Sequence, residues 1–324
     1  MPNFRWLKRY LPFANGIPRH DTIARVISRL CPDAVQSSFM SWIQSIVQEV
    51  GGDIIAIDGK TARGSFTTRE RNNPLHMVSA WSCNNGIVLG QQRVADKSNE
   101  ITAIPILLDL LDIDGCIITI DAMGCQKDIA KKIIEKNGEY VLMLKGNQGK
   151  LFDEVKDWFE LAEKEGFKNL EYDVVEHTDK GHGRIEVRRC VQSTVDINWL
   201  SKGTEWKGLQ SVIKVISKRH IGDKRSVEER YYISSLPLDA GVALNAVRSH
   251  WQVENTLHWT LDMTFKEDAS CIRRGNSAEI MNVLRKLVLN LVKADTTRNA
   301  SMKRKLKMAA YDDEFRAQLL CGAI

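Results

Sequence analysis

The chain has 324 residues, of which 43% are hydrophobic and 27% charged, with a net charge of +5. That is enough apolar material for one large domain or two small ones with a real core, and no apolar run approaches the length that crosses a bilayer. Seven scattered cysteines (Cys31, Cys83, Cys116, Cys125, Cys190, Cys271, Cys321), never spaced as Cys-x-x-Cys, argue against a disulfide framework or a zinc site and suit a reducing compartment.

The first residues, Met1-Pro2-Asn3-Phe4-Arg5-Trp6, lack the basic-then-apolar order of a signal peptide. Residues 20–49 read as helical: Asp21 and Thr22 can cap, Ile23, Val26, Ile27 and Leu30 share a face, Pro32 interrupts, and Phe39, Ile43, Ile46 and Val47 form a second stripe. Residues 54–58 read as a short buried strand. Residues 76–81 and 87–94 form a hairpin around Asn84-Asn85-Gly86, a strong turn signal. Helices follow at 100–111 and 126–137, the second stopped by Asn137-Gly138, with strands at 116–121 and 140–144. A further helix is expected at 150–163. From 171 to 236 the period changes to two, with strand-like stretches at 172–175, 184–191, 209–218 and 229–236. Helical period returns at Ala243. Residues 276–293 form a helix with Ile280, Val283, Leu284, Leu287, Val288 and Leu291 inward and Asn276 or Ser277 as its cap. The tail is basic and partly helical. The order strand, hairpin, helix, strand, helix, strand is that of an α/β, ribonuclease-H-like mixed sheet flanked by helices, with a β-rich insertion before the last acidic helix. The divisions are a helical segment at 1–50, a core at 51–165 and 237–295, the insertion at 166–236 and a tail at 296–324.

Charge is uneven along the chain. Residues 1–30 carry six basic side chains against one acidic, and residues 273–308 carry ten against two, so the middle is acidic. Basic ends around an acidic centre suit a protein that holds a polyanion with its flanks and metal with its centre, although ordinary solvated helix faces give the same pattern. Two apolar runs end in aspartate: Ile54-Ile55-Ala56-Ile57-Asp58 and Ile117-Ile118-Thr119-Ile120-Asp121. Each alone reads as a turn or a cap. Together, beyond the carboxyl ends of neighbouring strands, they make a shared cation more probable than either does alone. Glu254 lies on a helix with His250 and His258 at i−4 and i+4, with Trp251 and Trp259 packed behind. That order is not the zinc-protease motif, but it leaves a mixed His/Glu metal site open. Three carboxylates from two strands and a helix suit hard cations that assist phosphoryl transfer. Lys60, Lys145, Asn147, His250, Arg273 and Arg274 are candidate DNA contacts, the last two opening a helix. His177 and His182, the latter within Gly181-His182-Gly183-Arg184, read as part of a turn.

These stretches resemble the DDE-type transposases of bacterial insertion sequences, and more closely the H-repeat-associated, Rhs-linked group. The resemblance is carried by Gly16-Ile17-Pro18 with His20-Asp21-Thr22-Ile23-Ala24-Arg25, by Ile55-Ala56-Ile57-Asp58-Gly59-Lys60, and by Asp96-Lys97-Ser98-Asn99-Glu100-Ile101-Thr102-Ala103-Ile104-Pro105. It continues through Thr119-Ile120-Asp121-Ala122-Met123-Gly124-Cys125-Gln126-Lys127, Lys145-Gly146-Asn147-Gln148, His250-Trp251-Gln252-Val253-Glu254-Asn255 with Leu257-His258-Trp259, and Ile272-Arg273-Arg274-Gly275-Asn276. It implies an acidic triad of Asp58, Asp121 and Glu254, with Mg²⁺ as metal and Mn²⁺ able to substitute. The implied reaction is attack by water and then by a DNA 3′-hydroxyl on phosphodiester bonds at transposon ends. It also implies double-stranded DNA as partner, a homo-oligomeric, cytoplasmic and nucleoid-associated protein, and no membrane. Family members carry a further helical segment before the Gly-Ile-Pro stretch, where only Met1 to Asn15 stand here. The alternative expectation is therefore a shortened, transposition-inactive DNA-binding remnant. A metal-dependent nuclease with another role would share the site but not the joining step.

Overall fold

Nine strands form one sheet: β1 (Ile54–Thr61), β2 (His76–Ser82), β3 (Ile87–Arg93), β4 (Ile117–Ile120), β5 (Glu139–Leu144), β6 (Tyr172–Gly181), β7 (Arg184–Thr194), β8 (Ser211–Ile221) and β9 (Lys224–Ser234). Their spatial order is β3-β2-β1-β4-β5-β9-β8-β7-β6. The computed structural model describes residues 2–46, 51–66, 74–96, 98–181, 183–200 and 202–322. Val47, Lys97 and His182, named above, lie outside the described residues, as does the expected helix beyond Ile46.

The first five strands make the core. β1 is antiparallel to β2 and parallel to β4, and β4 is parallel to β5. Alternation sorts their side chains between two faces. Ile55, Ile57, Ile118, Ile120, Tyr140, Leu142 and Leu144 pack into the larger core. Ile54, Ile117, Val141 and Met143 face the other way into a second one. The period-two stretch supplies β6 to β9, which do not fold into a sheet of their own. β9 pairs antiparallel with β5, so the core sheet continues outward through β8, β7 and β6. This is the α/β, ribonuclease-H-like mixed sheet flanked by helices expected from the element order.

The helices are α1 (Pro2–Leu7), α2 (His20–Ile27), α3 (Pro32–Ile46), α4 (Glu100–Leu110), α5 (Lys127–Glu135), α6 (Gly149–Lys164), α7 (Ala240–Gln252), α8 (Trp259–Met263), α9 (Ser277–Ala294), α10 (Met302–Tyr311) and α11 (Asp313–Cys321). α3, α4, α5, α6 and α9 contribute to the larger core, and α7 crosses the opposite face. Asn137 ends α5 in the left-handed region at φ 57°, and the Gly138 N–H closes back on the Ile133 carbonyl, which is why Asn-Gly stops that helix. One expectation, the side-chain cap of α9, fails. The apolar stripe of α2 exists, but Ile23 and Val26 are exposed. No side chain caps α9, because the Asn276 amide donates instead to the Leu30 carbonyl. No helix among the described residues is long and apolar enough to cross a membrane.

Candidate active site

β1 does not end at Asp58 as its apolar run implies. It continues to Thr61, paired with β2 throughout. What ends there is the pairing with β4: Ile57 is opposite Ile120, the last residue of β4. Asp58 and Asp121 are the next residues on the two parallel strands, so they stand side by side at the carboxyl end of β4. Asp58 shares a face with Ile54 and Ala56, the face that α7 covers.

α7 runs directly into a π-helical turn, Val253–His258, and then into α8. A π turn widens the helix locally and is frequent at functional sites. Glu254 is exposed in this turn, while Val253 and Leu257 are buried and anchor it. Glu254 and Asp58 line one cleft of about 560 Å³ with Lys60, His258 and Trp259. Trp259 is 58% exposed rather than packed behind the helix.

Burial, then repulsion from Glu100, with lesser repulsion from Asp121 and Glu254, pushes the Asp58 carboxyl up to about 8. Burial also raises Asp121, opposed by the Gly124 and Met123 amides, which donate to Oδ1, and by Lys145. His258 Nδ1 lies 3.6 Å from Asp58 Oδ2. Burial, helped by Lys286 and Lys60, drives its imidazole down to about 3, so it is neutral at neutral pH.

Several candidate contacts have other partners. The Lys60 ammonium sits 2.8 Å from Asp262, 3.0 Å from Asp268 and 3.6 Å from Glu267, committed to carboxylates rather than open to phosphate. His250 is buried, with Nδ1 3.2 Å from the Thr119 hydroxyl, and cannot join Glu254 and His258 in one metal site. The Asn147 amide donates to the Ala122 carbonyl, and Gln148 donates to the Cys125 carbonyl at 2.8 Å. That loop therefore braces the turn after Asp121. Arg273 donates to the Gly64 carbonyl. Lys145 and Arg274 are exposed.

Among the described residues no three His, Cys, Asp or Glu side chains stand in position to hold one ion together. Asp58, Asp121 and Glu254 nevertheless share one donor chemistry. It is all oxygen, drawn from two strands and a helix, the donor type that a hard divalent cation takes.

Sequence reasoning missed an arginine groove. The groove, about 620 Å³, lies between the outer halves of β7, β8 and β9 and the end of α7. Arg184, Arg188, Arg219, Arg230 and Arg248 line it, and it ends at Glu254 and Asn255. Buried Glu186 contacts Arg184, Arg188 and Arg219, while Asp179 holds Arg188 and Arg248. Arg230 stacks on Trp251, 4.5 Å from the ring centre. The parity of Arg184, Glu186 and Arg188 along one strand was the signal available for it.

Residues 50–291 match the family described as Transposase DDE domain, and residues 3–43 match the one described as DDE_Tnp_1-associated. Over 98% of its length the chain is 46% identical to the Escherichia coli O157:H7 protein named "Putative transposase YncI", covering 81% of that protein. It is 42% identical, again over 98% of its length, to "H repeat-associated putative transposase YhhI" of Escherichia coli K12, covering 84% of it.

Proposed function

Because the chain belongs to the DDE transposase family, we propose that it hydrolyses phosphodiester bonds at the ends of a DNA element and transfers the freed ends, using Asp58, Asp121 and Glu254 with Mg²⁺ or, in substitution, Mn²⁺. The observation that carries this reading is the register Ile57–Ile120. It sets two aspartates side by side under the helix that bears Glu254, and Asp58 feels the charge of both other carboxylates.

A divalent cation bound to these oxygens supplies Lewis-acid stabilisation of the phosphoryl group and a more acidic water. The protein's own groups do the rest. Asp58 and Asp121 are held by the sheet, and the Asp121 Oδ1 bonds to the Met123 and Gly124 amides leave Oδ2 for an ion. Neutral His258 adds no competing positive charge beside Asp58. Lys145, exposed near Asp121, is available to a phosphate. The arginine groove of the β-rich segment carries the DNA backbone toward Glu254, its guanidinium groups pre-oriented by Glu186 and Asp179. Trp259 offers a stacking face at the cleft mouth. The inactive-remnant alternative has no observation in its favour.

The test is Mg²⁺-dependent cleavage and strand transfer on duplex DNA carrying the inverted repeats that flank the gene. Asp121→Ala and Glu254→Ala should lose both activities and still bind the duplex. A Glu254→Ala protein that cuts at the parent's rate would remove Glu254 from the mechanism.

A further inference from the structure

The four outer strands change character halfway along. Their inner halves are buried on both faces. Cys190, Val215 and Tyr232 pack with Ala243, Leu244 and Val247 of α7. On the other face the Tyr231 ring lies 6.1 Å from Phe159 of α6. The outer halves stand in solvent. Their face on the α7 side is the arginine groove, and the opposite face has no part in the reaction described above. There the register sets Val187, Lys218 and Val227 in one cross-strand row. Lys180, Ile185, His220 and Arg225 form the next row, toward the turns. Lys180, Lys218 and Arg225 are exposed, as are Ile185 at 43% and Val227 at 63%. Neither row holds an aspartate or glutamate. The same face turns acidic only farther in, at Glu176 and Glu229.

The two faces use their cations differently. In the groove Arg184, Arg188 and Arg219 share Glu186. On the opposite face, among the described residues, Lys180, Lys218 and Arg225 have no carboxylate partner. Clustered cations without internal partners attract a polyanion. A second copy docked back to back would set these cations against their equals, with no carboxylate in either row to offset them. Nor can a duplex seated in the groove reach this face. Four strands make a blade about 15 Å wide, and DNA stays nearly straight over about 150 base pairs.

We propose that this face seats a second DNA duplex, the one that receives the freed ends, while the groove seats the first. The proposal rests on the strand-transfer reading above, in which one DNA is joined to another. Lysine and arginine contacts with phosphate fix position without reading sequence, so the face should accept a duplex of any sequence.

The experiment uses the full chain, first without metal. The protein is saturated with unlabelled duplex carrying the inverted repeats, and a fluorescent duplex lacking them is titrated in at several salt concentrations. The parent should bind this second duplex. The triple variant Lys180→Ala, Lys218→Ala, Arg225→Ala should bind it about tenfold or more weakly, with a slope of log K against log salt lower by about 2.7. It should hold the repeat-bearing duplex as the parent does. With Mg²⁺ added, it should cleave that duplex at the parent's rate and transfer its ends poorly. A saturated parent that takes up no second duplex overturns the proposal. So does a variant that binds the second duplex normally, or one that loses both duplexes equally. A variant whose mass by light scattering falls below the parent's also overturns it, since the face would then meet another copy of the chain. A parent that holds both duplexes yet neither cleaves nor joins them overturns the strand-transfer reading and leaves the second binding face standing. Should the triple variant not fold, Lys218→Gln alone must lower the slope for the second duplex by about 0.9 for the proposal to hold.

Discussion

Lys60 and His250 both lie in motifs that invite contact with DNA, and both face inward for reasons local sequence does not contain. The carboxylates around Lys60 belong to residues 262–268, joined to it only by the fold. His250 is buried against Thr119, 131 residues away in sequence but adjacent once α7 crosses the sheet. Its burial has a measurable consequence. The imidazole is pushed down from 6.5 to about 4, so below pH 6.5 the unfolded chain takes up a proton that the folded chain refuses. The stability tied to a neutral His250 is therefore complete above about pH 6.5 and is lost as pH falls toward 4, by up to about 3 kcal/mol. Urea unfolding between pH 7.5 and 4.5 should show a steeper loss for the parent than for His250→Gln. Equal slopes would mean that His250 does not titrate differently in the two states.

At the scale of elements, the π turn does what a regular helix could not, carrying exposed Glu254 between buried Val253 and Leu257 while α7 and α8 stay docked. Such a turn holds one residue more than an α-helical turn. Deleting Thr256 should restore α-helical spacing, keep α8 in register and leave the melting temperature within a few degrees. It should re-aim Glu254 and lower cleavage by about a hundredfold, the usual cost of an ångström-scale misplacement. A deletion variant that cuts normally would show that the turn is incidental. The core strands and their order were legible because β1, β4 and β5 are apolar runs bounded by turn residues, and the Asn-Asn-Gly hairpin has a strong local signal. The acidic motifs were legible for the same reason, each following such a run. The continuation of the sheet from β5 into β9 was not, because strand pairing across some 90 residues leaves no periodic trace.

Taken as a whole molecule, positive charge is concentrated at both ends of the sequence and in the groove beside Glu254. Part of the terminal charge is already matched, since Lys305 is buried against Asp295 and Arg316 pairs with Asp313. The groove arginines are also paired, yet Arg184 and Arg219 remain about half exposed, at 47% and 48%, and share one buried carboxylate, Glu186, with Arg188. Their guanidinium groups can take a phosphate without losing that support. Each phosphate neutralised contributes about 0.9 to the slope of log K against log salt, so the two candidate surfaces can be separated by counting. Replacing Arg184 and Arg219 together by alanine should reduce that slope by about 2 and leave the fold intact, because both lie on the exposed outer halves of β7 and β8. If the slope instead survives this change and falls on replacing Lys303, Arg304 and Lys307 in α10, the DNA is held by the C-terminal helices, and the groove is a structural network of ion pairs.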